Sequence, residues 1–365
     1  MYVGIDVSKE KFDACGIGDG GNKLFSLSCP MNREGFDKLV TRLAAVSTAS
    51  LLLGMESTAS YHIALFSYLT AKGYRVAIIN PLLIANFAKL SLRKTKTDKK
   101  DAFTIAQFLL LRKEALATGS PRLTELKDLS RRRERLVDEM TALKNDMKRI
   151  LSVTFPELET ITGIFTKSTL RLLTEFPSAH ALAQAGYDTV APIVTSRSRG
   201  RKPSASVKVL MDTATASVGV ASPAKDMILK QEASLLLALE EQAEEIMQLI
   251  RSLADETMQR DAEILTSMRG IGDKTAFNFL IEMGGDIKAF EHDRKLIAAA
   301  GLDPTTYESG KYKGQSKISK RGNRHLRRVI WLMTTKVIIS NEVFRTYYFK
   351  RRKEGLIYKK AVLAT

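Results

Sequence analysis

"MYVGIDVSKEKFDACGIG", residues 1–18, decides how this chain is read. Tyr2 to Ile5 form an apolar run that ends on Asp6. "VSKEKFDACGIG" and "NKLFSLSC" read as two further short strands with turn residues between them, so the start of the chain is a three-stranded meander. Working outward, "GFDKLVTRLAAV" (Gly35–Val46) reads as a helix and "LLLGMES" as a buried strand ending on Glu56. A helix over Tyr61–Lys72 leads to "YRVAIINP", a third buried strand that stops at Pro81. Strands alternating with helices predict a mixed sheet covered by helices, an α/β domain.

The chain has 365 residues, 44% of them hydrophobic, enough to bury real cores in two or three domains. No apolar run reaches the roughly 18 residues that span a bilayer, and the N-terminus starts on a strand pattern rather than a signal peptide. These features predict a cytoplasmic protein with no membrane partner. Cys15 and Cys29, with only four histidines, form no zinc-like or disulfide spacing, so any metal must be held by oxygen. A net charge of +17 and a pI near 9.7 point to a polyanion, and nucleic acid fits better than a membrane surface because no amphipathic terminal helix accompanies the charge.

The stretch "KTKTDKKDA" (Lys94–Ala102) sets Asp98 and Asp101 three residues apart among lysines. One reading is a solvated helix start, with Thr97 or Asp98 as the cap and acids favouring the helix dipole. The other joins them to Asp6 and Glu56, each near the C-terminal end of an apolar strand, where mixed α/β sheets open their crevice. Four such carboxylates suit Mg²⁺ or Mn²⁺, and two ions roughly 4 Å apart stabilise the attacking and leaving oxygens of a phosphodiester. Lys94, Lys96, Lys99 and Lys100 would then contact phosphates beside acids that otherwise repel them.

Two apolar seams follow, Leu126 to Ile150 and Leu236 to Leu253, both at the spacing of coiled-coil helices. They can pair with each other or with a second protomer, and a homo-oligomer is the favoured expectation. "SRRRER" (Ser130–Arg135), on the first of them, reads as a solvated polar face. Between the helices, "SRSRGRKPSAS" reads as a basic loop or linker within a variable insert. "RGIGDKTA" carries Gly270 and Gly272 between two helical patterns, a helix-hairpin-helix-like turn that offers backbone N–H groups, with Lys274, to a phosphate; such glycines also serve close packing. From Tyr307 to Arg328 there are eight Lys or Arg and one acid, a cationic loop that includes Lys311, Lys313, Lys317, Lys320, Arg321 and Arg324. Ser309, Ser316 and Ser319 lie in it, with no histidine–acid pair nearby to suggest a hydrolase triad.

"GIDVSKEKFD", "GMESTASYH", "VAIINP" and "KTKTDKKDA" resemble the RuvC-like (RNase H-like) domain of the DEDD transposases of bacterial insertion sequences, the family that includes Piv-type invertases and RNA-guided bridge recombinases. "RGIGDKTA", "AAAGLDPTTYESG" and "SKISKRGNRHLRR" are similar to its C-terminal transposase domain. The resemblance covers roughly residues 1–111 and 262–340. It implies a DEDD tetrad of Asp6, Glu56, Asp98 and Asp101 holding Mg²⁺ or Mn²⁺. It also implies a nucleophilic serine after the "YE" pair, here Ser309, that becomes joined to DNA, with Ser319 as runner-up. The two motifs would meet in one composite site, and an element-encoded noncoding RNA would pair with donor and target DNA. The domains implied are 1–111 RuvC-like, 112–261 coiled-coil helices with the basic insert, 262–345 transposase, and 346–365 a basic aromatic tail that stops where the family usually continues through another helix. The protein would work in the bacterial cytoplasm at the nucleoid, on element ends and target DNA; a RuvC-like two-metal nuclease without a covalent intermediate is the alternative.

Overall fold

The computed structural model describes residues 1–46, 51–57, 60–88, 98–112, 120–195, 206–305, 308–309, 312–313 and 317–365, with the backbone alone at 82, 98–100, 195, 289, 308–309 and 312–313. It divides into two compact units, Met1–Glu125 and Leu126–Thr365.

The first unit is built on β1 (Tyr2–Val7), β2 (Lys11–Ile17), β3 (Lys23–Pro30), α1 (Arg33–Ala44), β4 (Leu52–Glu56), α2 (His62–Ala71), β5 (Arg75–Ile79), α3 (Pro81–Ala88) and α4 (Asp98–Arg112). The sheet runs β3-β2-β1-β4-β5, with the meander antiparallel and β1, β4 and β5 parallel. The mixed sheet and its covering helices follow the sequence expectation, with β2 starting four residues into the stretch read as the second strand and α3 an element that reading did not include. Parallel strands buried on both faces read as continuous apolar runs, which is why β1, β4 and β5 were legible.

Each sheet face has its own core. Val3, Ile5, Phe12, Leu53 and Met55 pack with α1 and α2, fully buried, while Tyr2, Cys15, Ile17 and Ala77 pack under Ala102, Ile105 and Leu109 of α4. Asn32 caps α1 by accepting from the Gly35 amide at 2.9 Å. Cys15 and Cys29 are free and buried, and burial pushes both thiols up, so neither is a ready nucleophile.

In the second unit, α5 (Pro121–Thr154, its first turns belonging to the first unit) is followed by α6 (Leu158–Ile161), α7 (Lys167–Glu175), α8 (Ala179–Ala185), α9 (Tyr187–Thr195) and α10 (Val207–Thr215). Then come α11 (Pro223–Leu253), α12 (Glu256–Ser267), α13 (Asp273–Met283) and α14 (Asp293–Ala299). Four two-residue strands follow, β6 (Pro304–Thr305), β7 (Glu308–Ser309), β8 (Tyr312–Lys313) and β9 (Lys317–Ile318), before α15 (Arg324–Ser340), α16 (Glu342–Lys353) and α17 (Tyr358–Ala364).

The two long helices pair with each other inside the chain: Leu136 packs on Leu239 and Ala243, flanked by Met140, Leu143 and Ile246, and Lys144 meets Glu240 at 3.5 Å. The insert between them is a helical layer; Phe155, Leu170, Leu173 and Leu182 bury against Leu229 and Leu236. The "SRSRGRKPSA" stretch itself, 196–205, lies outside the described residues. The C-terminal segment is likewise folded: Trp331, Tyr348 and Tyr358 meet edge to face at 6.2 and 6.4 Å, tying α16 and α17 to α15. Among the described residues no helix is long and apolar enough to cross a membrane.

Candidate functional site

The strand register aligns the acids of the first unit. Asp6 lies directly opposite Asp13 of β2, and because Ile5 pairs with Met55, Glu56 is the next residue along β4 beside Asp6. Side chains alternate along a strand. Val3, Ile5 and Val7 face α1 and α2, so Gly4 and Asp6 face α4; the same alternation puts Gly54 and Glu56 on the α4 side. Asp13, Asp6 and Glu56 thus form one rung across three strands, where opposed side chains stand roughly 5 Å apart.

α4 supplies the cover. An added Cβ on Gly4 would stand 2.1 Å from the Ala102 carbonyl oxygen and 2.4 Å from the Ala106 amide, so the helix backbone rests on β1 itself. Asp98, Asp101, Ala102, Ile105 and Leu109 follow the 3–4 spacing of one helix stripe, and its buried members face the sheet. Asp98 opens the helix and Asp101 precedes the Ala102 contact by one residue. The Asp98 side chain and Lys94, Lys96, Lys99 and Lys100 lie outside the described residues or side chains.

Asp13 is the residue sequence reading passed over. It is 3% exposed and pairs with Lys11 Nζ at 3.3 Å. The signal was present, an acid in the otherwise apolar "FDACGI", but only the antiparallel register puts it opposite Asp6. Among the described residues no three His, Cys, Asp or Glu side chains are gathered closely enough to hold a metal. In kind the donors fit a hard divalent cation, since all are oxygen.

Ser309 closes a hairpin in the second unit. Glu308 pairs with Lys313 and Ser309 with Tyr312. Beneath it β6 pairs with β9, and the base is locked. Ser319 Oγ donates to Asp303 at 2.6 Å, the Lys320 amide to the Gly301 carbonyl at 2.9 Å, and the Asn323 amide to the Ala299 carbonyl at 2.7 Å. Ser319, the runner-up nucleophile, therefore spends its hydroxyl on this lock. Gly322 has no room for a side chain, since a Cβ would lie 2.2 Å from the Ala299 carbonyl oxygen. Lys320 holds φ at 54°, a left-handed conformation uncommon for a residue with a side chain.

Asn323 joins this base to the helices. Its Oδ1 accepts from the His325 and Leu326 amides as the cap of α15, and its Nδ2 donates to Glu282 Oε2 at 2.7 Å. Glu282, 6% exposed, also takes a two-pronged contact from Arg131, Nε at 2.9 Å and Nη2 at 3.1 Å. Burial pushes the Glu282 carboxyl up, but the Arg131 and Asn323 hydrogen bonds and the Arg131 charge outweigh it, and it ends below its ordinary value. "SRRRER" is accordingly only in part a solvated face: Arg132 and Arg135 are exposed, but Ser130 bonds Asn278, Arg131 bonds Glu282, and Glu134 meets Arg328 at 3.0 Å. The charges of Arg131 and Glu134 read as solvated because their partners Glu282 and His325 lie 151 and 191 residues away.

The other expected nucleic-acid contacts divide. Lys317, Lys320, Arg321 and Arg324 are exposed around the arm's base, Lys313 is described by its backbone, and Lys311 lies outside the described residues. Gly270, at φ 109°, approaches the last turn of α15, where a Cβ would sit 3.0 Å from the Lys336 carbonyl oxygen. That is the packing use of the turn. Gly272 caps α13 with no side-chain bond, and Lys274 is held by Glu244 at 2.7 Å.

Two family models match the chain: one described as a transposase over residues 3–156, and one for the transposase IS116/IS110/IS902 family over 262–349. The insertion element IS900 42 kDa protein of Mycobacterium paratuberculosis is 27% identical across the whole of this chain and 92% of its own length. The IS110 43.6 kDa protein of Streptomyces coelicolor is 28% identical across the whole chain and 90% of its own. The pilin gene-inverting protein of Moraxella bovis is 36% identical over 29% of this chain and 33% of its own. With the acid rung inside the first match and the Ser309 arm inside the second, the chain belongs to the IS110-type transposases, a family of DNA recombination enzymes.

Proposed function

We propose that this protein is an insertion-sequence transposase or site-specific recombinase that cuts and rejoins DNA through a covalent serine–DNA link, on a RuvC-like N-terminal domain. The observation that carries the reading is the rung: Asp6 and Glu56 side by side on parallel strands, with the start of α4 over the same face. Asp6, Glu56, Asp98 and Asp101 are its metal-holding carboxylates. Bound Mg²⁺ or Mn²⁺ would supply charge stabilisation to a phosphate oxygen. The backbone at Asp6 and Glu56 is held by the β1–β4 ladder, and that at Asp101 by the seating of Ala102 on Gly4, so side-chain adjustment is what remains for a cation to draw the donors together.

Ser309 Oγ attacks the scissile phosphorus, its proton passing to solvent, and the deoxyribose oxygen leaves with a proton in turn. One phosphodiester replaces another, so the bond energy is kept for rejoining, which is the reverse attack by a new deoxyribose hydroxyl. The hairpin holds Ser309 at its tip, and the Ser319–Asp303 lock holds the hairpin's base. Arg321 and Arg324 neutralise phosphates beside it. A noncoding RNA from the same element would supply sequence choice, in keeping with a chain of net charge +17 suited to nucleic-acid backbone.

The test is mass spectrometry of nuclease-digested protein co-expressed with its native flanking DNA. A nucleotide adduct on Ser309, absent from Asp98→Ala, is expected. Cleaved DNA with free ends and no adduct would instead assign a two-metal nuclease, with Ser309 only gripping phosphate.

A further inference from the structure

One face of α16 combines cations with an exposed aromatic ring. Arg345, Phe349, Lys350 and Lys353 recur at three- and four-residue steps and so share a stripe. The stripe lines a groove of about 820 Å³ whose opposite wall is Arg269 of the α12–α13 turn and Ser340 at the end of α15. Gly270 brings the turn against the last turn of α15 at a positive φ, where an added Cβ would be strained and would sit 3.0 Å from the Lys336 carbonyl oxygen.

The groove is cationic. Arg269, Lys350 and Lys353 make no ion pair among the described residues, while Glu354, one of its two acids, is taken by Arg351 at 2.6 Å. Arg345 donates to the Ile338 and Ile339 carbonyls, which aims its guanidinium without cancelling its charge. In the middle of these cations the Phe349 ring is 54% exposed. Tyr348 meets it edge to face at 5.3 Å, and Tyr348 is itself packed on Tyr358.

A phenyl ring open among cations meets two needs at once, a flat apolar face and neutralised negative charge. An acidic peptide would use the cations and waste the ring. A duplex would use the cations too, but its bases stack on one another and offer no free π face. Unpaired nucleotides use both, stacking a base on the ring while the phosphates on either side meet Arg269, Lys350 and Lys353.

We propose that the groove between α16 and the α12–α13 turn binds single-stranded nucleic acid, stacking one base on Phe349. The inference adds a site to the proposed function without depending on Ser309 or the carboxylates. The strand is a DNA strand opened at an element end or an unpaired stretch of RNA.

Because the whole chain is basic, the test needs a local readout. The full-length protein, kept in EDTA so that metal-dependent cleavage is off, is irradiated with oligonucleotides carrying 5-iodouracil, and the crosslinked peptide is identified by mass spectrometry. The adduct is expected on Phe349. Phe349→Ala should remove it and weaken binding of oligothymidylate or oligouridylate about tenfold, while Phe349→Trp keeps both and duplex affinity moves less than about twofold. The Lys350→Ala/Lys353→Ala pair should lower the salt slope of single-strand binding by about 1.4. Tighter binding of oligouridylate identifies RNA as the source, and tighter binding of oligothymidylate a DNA strand. Adducts mapping only outside residues 342–354, or equal losses for duplex and single strand, would overturn the proposal. None of these outcomes touches the Ser309 adduct, so the two readings fail separately.

Discussion

At the scale of single residues, buried carboxylates carry the consequences. Glu282 satisfies Arg131 and Asn323 together, so Glu282→Ala strands a half-buried guanidinium and frees the base of the Ser309 arm. We expect a loss of about 2–4 kcal/mol in denaturant unfolding, reduced from the fully buried case because Arg131 still reaches water. Glu232 on α11 behaves oppositely. Burial and the neighbouring Asp146 carboxyl push it up to about 7. A carboxyl whose folded pKa is raised favours the fold below its unfolded value near 4.5 and loses that contribution as pH rises through 7. Glu232→Gln should therefore raise the unfolding midpoint at pH 8 and leave it nearly unchanged at pH 4; an equal shift at both would contradict the assignment. Asp13→Asn is informative in a different way. Its partner Lys11 is half exposed, so the stability loss should stay within about 1 kcal/mol. A much larger fall in metal affinity by calorimetry would mark Asp13 as part of the field at Asp6.

At the scale of elements, the contact that matters most is α4 on β1. Gly4 and Gly54 sit at paired positions on neighbouring strands, and both face α4: Gly4 meets its backbone, and a Cβ on Gly54 would stand 2.7 Å from Leu109. Gly4→Ala leaves every acid in the sequence and should still destabilise the protein by about 2–3 kcal/mol, lifting the helix off the strand. Metal binding should weaken with it, read by calorimetry; retention of full affinity would show that the α4 acids do not need this seat. The pairing of α5 with α11 belongs to the same scale. The seam residues were visible from their spacing, but a seam has no address, and only the folded chain shows that each long helix is the other's partner.

At the scale of the whole molecule, separate cores in 1–125 and 126–365 predict that unfolding is not a single transition. The chain's one tryptophan, Trp331, reports the second unit alone, so its fluorescence and far-UV circular dichroism should give different midpoints in denaturant. By itself the sequence determined the mixed sheet, the two long helices, the acids at strand ends and the cationic C-terminal loop. Each is written in a short window, as an apolar run, a heptad or a cluster of like charge, and the family's motifs lie in those windows. Tertiary structure alone decided the rest. Asp13 joined the acid rung through an antiparallel register, "SRRRER" became an ionic seam through partners on α13 and α15, and the last helices formed a groove around Phe349. These depend on residues far apart in the chain, and local periodicity holds no record of which distant residue a side chain will meet.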